Sequence, residues 1–185
     1  AEFPSTGRPG LDELAADGFG VTDDVDNAGV INLLMNTRRG ATGDLRIRQA
    51  VVAAIDREQY RDTVLDPSFD VADQPYPAGN RWHADVDYPD YDPARAEKLV
   101  ADYEAQKGPA AIKILTIAGP PTTGPQLVQQ QLAAVGIDAS IETVDLARFV
   151  KQFVTGDFDT VFLGGFLAAA DPDGFPRLQL VARGE

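Results

Sequence analysis

The sequence predicts an α/β fold in which a mainly parallel sheet is flanked by helices. Short apolar runs alternate with amphipathic segments from residue 112 to residue 163. Each amphipathic segment is bounded by residues that start or stop helices, and the links between segments are short. Successive strands joined through a helix pair in parallel with right-handed crossovers, so this alternation indicates helices on the faces of one sheet.

In the first half, residues 1–29 have little periodicity and are interpreted as an irregular lead-in. Residues 30–35 (VINLLM) form an apolar run short enough for a buried strand. Asp44 is the expected N-cap of a helix whose apolar residues recur at helical spacing to Asp56, and we expect this helix to continue to Leu65. Residues 66–91, rich in Pro, Asp and aromatics, are predicted to be a long connection.

In the second half, Asp92 followed by Pro93 starts a predicted helix that Gly108 ends. Strands are predicted at residues 112–117, 137–144 and 158–163, with helices at residues 125–135 and from Asp145 to Gly156. The second of these helices has five apolar residues expected to face the core: Leu146, Phe149, Val150, Phe153 and Val154. After residue 165 the pattern dissolves, and we expect a truncated C-terminus.

Composition excludes several classes of function. Sixteen basic and 29 acidic residues give a net charge of −13, which opposes binding to nucleic acid or to an anionic membrane. With no Cys, the chain has no disulfide, iron–sulfur cluster or cysteine nucleophile. No apolar run approaches the roughly 18 residues of a membrane span, and any export signal is expected to have been removed or to lie upstream.

The sequence offers no convincing catalytic set. It contains one His, His83, and three Ser, none of them in a nucleophile-elbow context. Residues 119–124 (GPPTTG) have the glycine spacing of a phosphate-binding loop, but Pro125 and Gln126 stand where Lys and Ser or Thr are required. We therefore expect neither a catalytic triad nor a nucleotide site.

Metal and cofactor sites are not expected either. Asp24 and Asp26 resemble the start of a calcium loop, but Met35 occupies the position of its bidentate Glu. A transition-metal site would have only His83 and carboxylates to draw on. The prediction is no metal and no cofactor.

The loops are the remaining candidates for binding. In an open parallel sheet, ligands bind beyond the carboxyl ends of the strands, where residues 164–175 are expected to lie. These residues include Phe166 and Asp171, and the long connection adds Tyr76 and Trp82. Aromatic and polar side chains of this kind can line a cleft, although aromatics can equally pin loops to the core.

Four motifs carry a resemblance to a known family. They are a strand ending in Asn36 followed by DLRIRQAVVAAIDREQY, then YDPARAEKLV, then LVQQQLAAVGIDASIETVD, and finally FDTVFLGGF with DPDGF after it. In this order they resemble the peptide- and nickel-type family (family 5) of extracellular solute-binding proteins, the receptors of ABC importers. The resemblance covers nearly the whole chain.

The resemblance implies a two-lobed, periplasmic-binding-protein-like receptor that closes on its ligand. Residues 1–29 would be a lead-in from the first lobe, and residues 30–185 the second lobe, incomplete at its C-terminus. The implied protein is a monomer without enzyme activity. It would be lipid-anchored to the outer face of the cytoplasmic membrane and would deliver a small molecule (peptide, glycoconjugate or lipidic) to an ABC permease.

The resemblance also places the ligand contacts and shows one departure. Contacts are expected from Phe166, Leu167, Ala168 and Asp171, with Tyr76 and Trp82. Peptide-binding members carry an Asp for the ligand's α-ammonium group where this sequence has Ala168. The methyl group of Ala168 cannot pair with a cation, which argues against a simple peptide ligand.

Two alternatives and one structural expectation remain. The chain could be a regulatory or scaffold relative in cell-wall mannoglycolipid synthesis, of the divergent actinobacterial LpqW lipoprotein type. It could also be a carboxylate-based hydrolase using Asp171 and Asp173, although Asp residues at this spacing usually serve a turn. Arg46 and Arg48 are expected to be structural, with at least one of them paired to an acid.

Overall fold

A computed structural model describes residues 14–20, 29–65, 67, 69–71 and 83–167. The strands are β1 (Gly29–Met35), β2 (Ala111–Ile117), β3 (Asp138–Val144) and β4 (Thr160–Leu167). The α-helices are α1 (Leu45–Ala54), α2 (Arg57–Val64), α3 (Pro93–Lys107), α4 (Thr123–Ala134) and α5 (Leu146–Thr155), and a 3-10 turn at Ala41–Gly43 precedes α1.

The chain divides into two compact units. The larger, called here the sheet unit, comprises Asn32–Tyr60 and Pro89–Leu163. The other contains, among the described residues, 14–20, 29–31, 61–65, 83–88 and 164–167. Within that second unit, residues 14–16 are helical and Arg61 Nε lies 2.7 Å from Asp62 Oδ1.

The sheet has four strands in the order β1-β4-β2-β3. β2 pairs in parallel with β3 along its whole length and with β4 at Ile114 and Leu115. The end of β1 meets the start of β4, because the Asn36 N–H donates to the Asp159 carbonyl at 2.8 Å. Neighbouring strands that meet end to start run antiparallel, so the sheet is mixed with a parallel core, and the predicted α/β class is confirmed.

Aspartate caps start three of the helices. The side chains of Asp44, Asp92 and Asp145 accept hydrogen bonds of 2.9–3.0 Å from backbone N–H groups in the first turns of α1, α3 and α5. Such bonds satisfy donors that have no partner within the helix. Gly156 ends α5 in the left-handed conformation at φ 70°, which a glycine adopts without strain.

The prediction of one helix from Asp44 to Leu65 is wrong, because the chain forms two helices there. Ile55 is extended, with φ −89° and ψ 111°, and ends α1. Asp56 then accepts a 2.8 Å hydrogen bond from the Gln59 N–H and starts α2. An Asp inside an apparently helical pattern can cap a new helix as readily as it can continue the old one.

The two faces of the sheet have different cores. One face packs against α1, α3 and α4 through a large cluster of buried side chains that includes Ile47, Val100, Ile112, Ile114 and Leu132. The other face packs against α5 through a smaller cluster of Leu115, Val144, Phe149 and Val161. In the part of the chain that the structure describes, α5 is the helix on this second face.

The predicted inward face of α5 is only partly correct. Phe149 is buried and Phe153 packs against the smaller cluster. Leu146, Val150 and Val154 are exposed instead. The apolar sector of α5 is wider than its contact with the sheet, so one side of that sector lies outside the core.

Candidate functional site

The carboxyl ends of β2 and β3 lie side by side at one edge of the sheet unit. They are joined by a 2.8 Å hydrogen bond from the Ala118 N–H, just after β2, to the Val144 carbonyl at the end of β3. β4 is parallel to β2 and runs in the same direction. In parallel α/β sheets this carboxyl edge is where ligands bind, so we take it as the candidate site.

Helix α4 starts at this edge with an open N-terminus. Residues 118–123 are exposed, and Gly119 has φ +118°, a conformation that only glycine adopts easily. The Thr122 side chain makes no capping hydrogen bond to α4, in contrast to Asp145, which caps α5 at the same edge. Because Pro125 has no N–H, the first-turn donors of α4 are the N–H groups of Thr123 and Gly124. Together with the positive end of the helix dipole, they could receive a polar or anionic group.

Two aromatic residues enclose the first turn of α4. The Tyr60 and Phe162 rings lie with their centroids 6.3 Å apart. A Cβ atom added at Gly124 would lie 3.0 Å from the edge of the Phe162 ring and would collide with the Tyr60 hydroxyl. Burial raises the pKa of Tyr60 to about 12 because it disfavours the charged phenolate. The site needs glycine at position 124.

Sequence reasoning missed the contact between Tyr60 and Gly124. The sequence places Tyr60 only in a helix, and Gly124 only in a glycine spacing that does not complete a phosphate-binding loop. The sequence contains only a weak sign of this contact. A glycine in the first turn of a helix leaves room for another side chain, but it does not show which side chain approaches.

The opposite edge of the sheet holds a clasp of Asn36, Thr42 and Asp159. The Asn36 amide donates to the carbonyls of Gly156 and Phe158, both at 3.0 Å. The Thr42 hydroxyl donates to the Asn36 carbonyl at 2.7 Å, and an Asp159 carboxylate oxygen accepts from the Lys113 N–H at 3.1 Å. These groups satisfy one another, which indicates that the clasp is structural.

An ion pair lies beside this clasp. Arg39 hydrogen-bonds to the carboxylate of Asp157, which lowers the pKa of Asp157 and raises that of Arg39. Both side chains are at least half exposed, so solvent screens the pair. The described residues at this edge are held by contacts with one another, as expected of a structural role.

The expected structural role of Arg46 is confirmed. Arg46 pairs with the Asp44 carboxylate at 2.8 Å, donates to the Asp102 carbonyl at 2.6 Å and lies 5.6 Å from the centre of the Tyr103 ring. Hydrogen bonds from Arg46 lower the pKa of Asp44 to about 2. Arg48 instead donates to the carbonyl oxygens of Thr42 and Gly43 in the 3-10 turn, at 2.8 and 3.0 Å.

The predicted ligand contacts are only partly within the described residues. Phe166 and Leu167 belong to β4, which extends to Leu167, so the expectation that the last strand ends at Leu163 is wrong. Two consecutive glycines, at 164 and 165, suggest the end of a strand, but glycine can continue a strand when the backbone stays extended. The other predicted contacts, Tyr76, Trp82, Ala168 and Asp171, lie outside the described residues, as does Asp173 of the hydrolase alternative.

The described residues contain neither a cluster of metal-ligating side chains nor a helix suited to cross a membrane. Within the ranges 14–20, 29–65 and 83–167 and the few described residues between them, no three His, Asp or Glu side chains are grouped as a metal ion requires. None of the helices in those ranges is long and apolar enough to cross a membrane.

A sheet with a parallel core and helices on both faces places the protein in the class of α/β domains. Residues 5–184 match the model of the bacterial extracellular solute-binding proteins, family 5. The match spans almost the entire chain, so the chain belongs to this family, and the sequence-based assignment is confirmed.

Individual relatives of the chain agree with the family assignment. The chain is 32% identical over 149 residues to a probable di/tripeptide-binding protein 5 of Pseudomonas aeruginosa, an alignment that covers 76% of the chain and 27% of the relative. It is 25% identical over 151 residues to the dipeptide-binding protein of Escherichia coli, covering 77% of the chain and 28% of that protein. The chain thus spans about a quarter of the length of these relatives. They are solute-binding proteins, not enzymes.

Solved structures share the fold. NikA from Brucella suis, in complex with Fe(III)-EDTA, matches with a TM-score of 0.74 at 24% identity, over 94% of this chain and 38% of that one. DppA from Helicobacter pylori, in complex with the peptide STSA, matches with a TM-score of 0.74 at 22% identity, over 92% of this chain and 33% of that one. The expected periplasmic-binding-protein-like fold is confirmed.

Proposed function

We propose that this chain supplies a ligand-binding lobe of the substrate-binding protein of an ABC importer. The protein would work outside the cytoplasmic membrane, held there by a lipid anchor, and would deliver a small molecule to a permease. Membership of the family of extracellular solute-binding proteins supports this proposal. The non-enzymatic relatives support it as well.

The lobe assignment is part of the proposal. Residues 30–185 would form most of the second lobe, and residues 1–29 would lead in from the first. The sheet unit supports this assignment because it contains the parallel core together with its flanking helices.

The observation that carries the proposal is the open N-terminus of α4 at the carboxyl edge. Thr122 leaves the first-turn donors uncapped, whereas Asp145 fills the corresponding position at α5. A ligand carboxylate or another anionic group would complete the cap. The expected contacts from Phe166, Leu167, Ala168 and Asp171, and from Tyr76 and Trp82, would add apolar and polar walls.

We further propose that the ligand has no free α-ammonium group. Ala168 stands where peptide-binding members carry an Asp, and a methyl group leaves a buried cation without a partner. One protein of similar fold, AgaA, is in complex with agropinic acid, which supports a ligand other than a simple peptide. The open helix N-terminus would favour a ligand that retains an anionic group.

The test compares two peptides that differ only at the amine. The complete natural protein and its Ala168→Asp variant are titrated calorimetrically with Ala-Ala and with N-acetyl-Ala-Ala. We expect Ala168→Asp to gain at least 10-fold in affinity for Ala-Ala and to lose affinity for the acetylated peptide, because only the free amine can pair with the new carboxylate. Tight binding of Ala-Ala by the unaltered protein would contradict the proposed ligand class.

A second variant tests the open helix N-terminus. Thr122→Asp places a negative charge beside the first turn of α4, where a ligand anion would bind. Binding of N-acetyl-Ala-Ala or Fe(III)-EDTA should fall at least 5-fold, while Ser140→Asp, which adds the same charge on an exposed position of β3, should leave it unchanged. If neither probe binds any form of the protein, the scaffold alternative gains support.

A further inference from the structure

Strand β3 lies at an edge of the sheet. In the part of the chain that the structure describes, β2 is its hydrogen-bonded neighbour and no strand lies beyond it. The Asp138 N–H donates to the Ala110 carbonyl, and the Val144 carbonyl accepts from the Ala118 N–H, both at 2.8 Å. These bonds mark the two ends of the parallel register, and backbone groups alternate in direction along a strand. The odd-numbered residues of β3 therefore direct their N–H and carbonyl groups away from β2.

Gln129 of α4 occupies part of this open edge. Its side-chain amide donates to the Ala139 carbonyl at 2.6 Å. Three residues of β3 face outward with their backbone groups: Ala139, Ile141 and Thr143. Ala139 is buried beneath this contact, whereas Thr143 is exposed. The Gln129 amide thus fills the first outward acceptor, and the backbone groups of the other two residues have no strand partner among the described residues.

Strand β3 lacks most other protections of an edge strand. Natural edges are often blunted by Pro, by Lys, by bulges or by unpaired charge. β3 contains no Pro or Lys, and it pairs with β2 through all seven residues without a bulge. Its central acid, Glu142, lies 3.2 Å from Lys113 and 2.6 Å from Arg148, so its charge is compensated. The contact from Gln129 is the remaining device at this edge.

The open edge of β3 is complementary to itself. Two β3 strands placed antiparallel about a twofold axis at Ile141 would pair Ala139 of each copy with Thr143 of the other. In this register neither acidic residue of β3 lies opposite another acid. The Thr143 N–H would donate to the same Ala139 carbonyl that Gln129 occupies, so the pairing and the Gln129 contact exclude each other.

We propose that Gln129 is an edge guard, which keeps β3 from pairing with the β3 strand of a second copy. While the amide is in place, the bonds at both ends of the new ladder cannot form, and only its short centre remains. Strands of that length pair weakly, because a stable ladder needs several residues. The proposal concerns the outer edge of the sheet, and it is independent of the ligand and of the proposed function.

Removal of the side-chain amide tests the guard. Gln129→Ala deletes the donor with a residue that favours a helix, and Gln130→Ala, at the neighbouring exposed position, is the matched control. Sedimentation equilibrium measures the mass of the complete natural protein and of each variant. High salt is used because the net charge of −13 on this part of the chain opposes association of copies. Gln129→Met, which keeps the side-chain length without an N–H donor, replaces Gln129→Ala if that variant does not fold.

We expect Gln129→Ala to dimerise with an association constant about 10-fold or more above that of the unaltered protein. Gln130→Ala should match the unaltered protein. Adding Thr143→Pro to Gln129→Ala should abolish the gain, because Pro lacks the N–H that would reach the Ala139 carbonyl of the other copy. The Thr143 N–H points away from β2, so Pro removes no bond between these two strands.

Two kinds of result contradict the proposal. A Gln129→Ala variant that is as monomeric as the unaltered protein would show that the amide guards nothing. Association that Thr143→Pro leaves in place, or that proceeds beyond two copies, would also overturn the proposal, because a twofold pairing of β3 strands closes at a dimer.

Discussion

Removal of the Asn36 amide should uncouple the end of β1 from the start of β4. Asn36→Ala deletes two donor bonds of 3.0 Å, to the carbonyls of Gly156 and Phe158, and one acceptor bond of 3.0 Å from the Arg38 N–H. Each such bond contributes about 1 kcal/mol net, and the partly buried carbonyls lose their partner, so we expect a loss of about 2–3 kcal/mol in the free energy of unfolding. The backbone bond from Asn36 to Asp159 stays in place.

Urea unfolding followed by far-ultraviolet circular dichroism measures this loss. With a slope of about 2–3 kcal/mol per molar urea, the midpoint should fall by about 1 M. Asn36→Asp keeps the acceptor but places a carboxylate opposite two carbonyls, and it should be at least as destabilising at pH 7. Gln106→Ala removes an amide from an exposed position of α3 and should cost under about 0.5 kcal/mol. A loss for Asn36→Ala no larger than that control would refute the assignment of the clasp as structural.

Three further predictions concern the helix termini. Arg46 lowers the pKa of Asp44 from 3.8 to about 2, so the stability linked to this pair is present above about pH 4 and is lost as the pH falls towards 2. The midpoint of urea unfolding should therefore decline over this pH range. In Asp44→Asn the decline should be smaller. Gly124→Ala should lower the free energy of unfolding by about 1–3 kcal/mol through the clash with the Tyr60 hydroxyl. The same substitution should cost less in a chain that already carries Tyr60→Ala, and a double-mutant cycle measures this coupling. Arg46→Lys should lower the urea midpoint because an ammonium group cannot keep both the fork to Asp44 and the stacking on Tyr103, and a midpoint equal to that of the unaltered chain would contradict this.

Local sequence signals predicted most of the sheet unit. Asp44, Asp92 and Asp145 cap helices as expected, since a short carboxylate acts within its own turn and needs no information from distant parts of the chain. The parallel pairing of β2, β3 and β4 followed from the alternation of strands and helices. Both features depend on neighbours in sequence.

The errors arose where a local pattern has two physical outcomes. Asp56 fits the interior of one helix or the cap of another, and Gly165 fits a turn or an extended strand. The apolar sector of α5 was clear from the sequence, but its pattern does not show how much of that sector has a partner. The placement of the binding residues beyond the carboxyl ends of the strands stays a prediction. The approach of Tyr60 to Gly124 depends on tertiary packing that no local pattern contains.

The pairing of β1 with β4 determines when the sheet can be completed during synthesis. The Asn36 side chain binds Gly156, 120 residues later in the chain, and β1 is an edge strand with β4 as its neighbour. At translation rates of about 5–20 residues per second, β1 leaves the ribosome roughly ten seconds before β4 has been made. Among the four described strands, β1 therefore waits longest for its hydrogen-bonded neighbour. A nascent chain stalled between Asn36 and Gly156 would present β1 to chaperones or proteases.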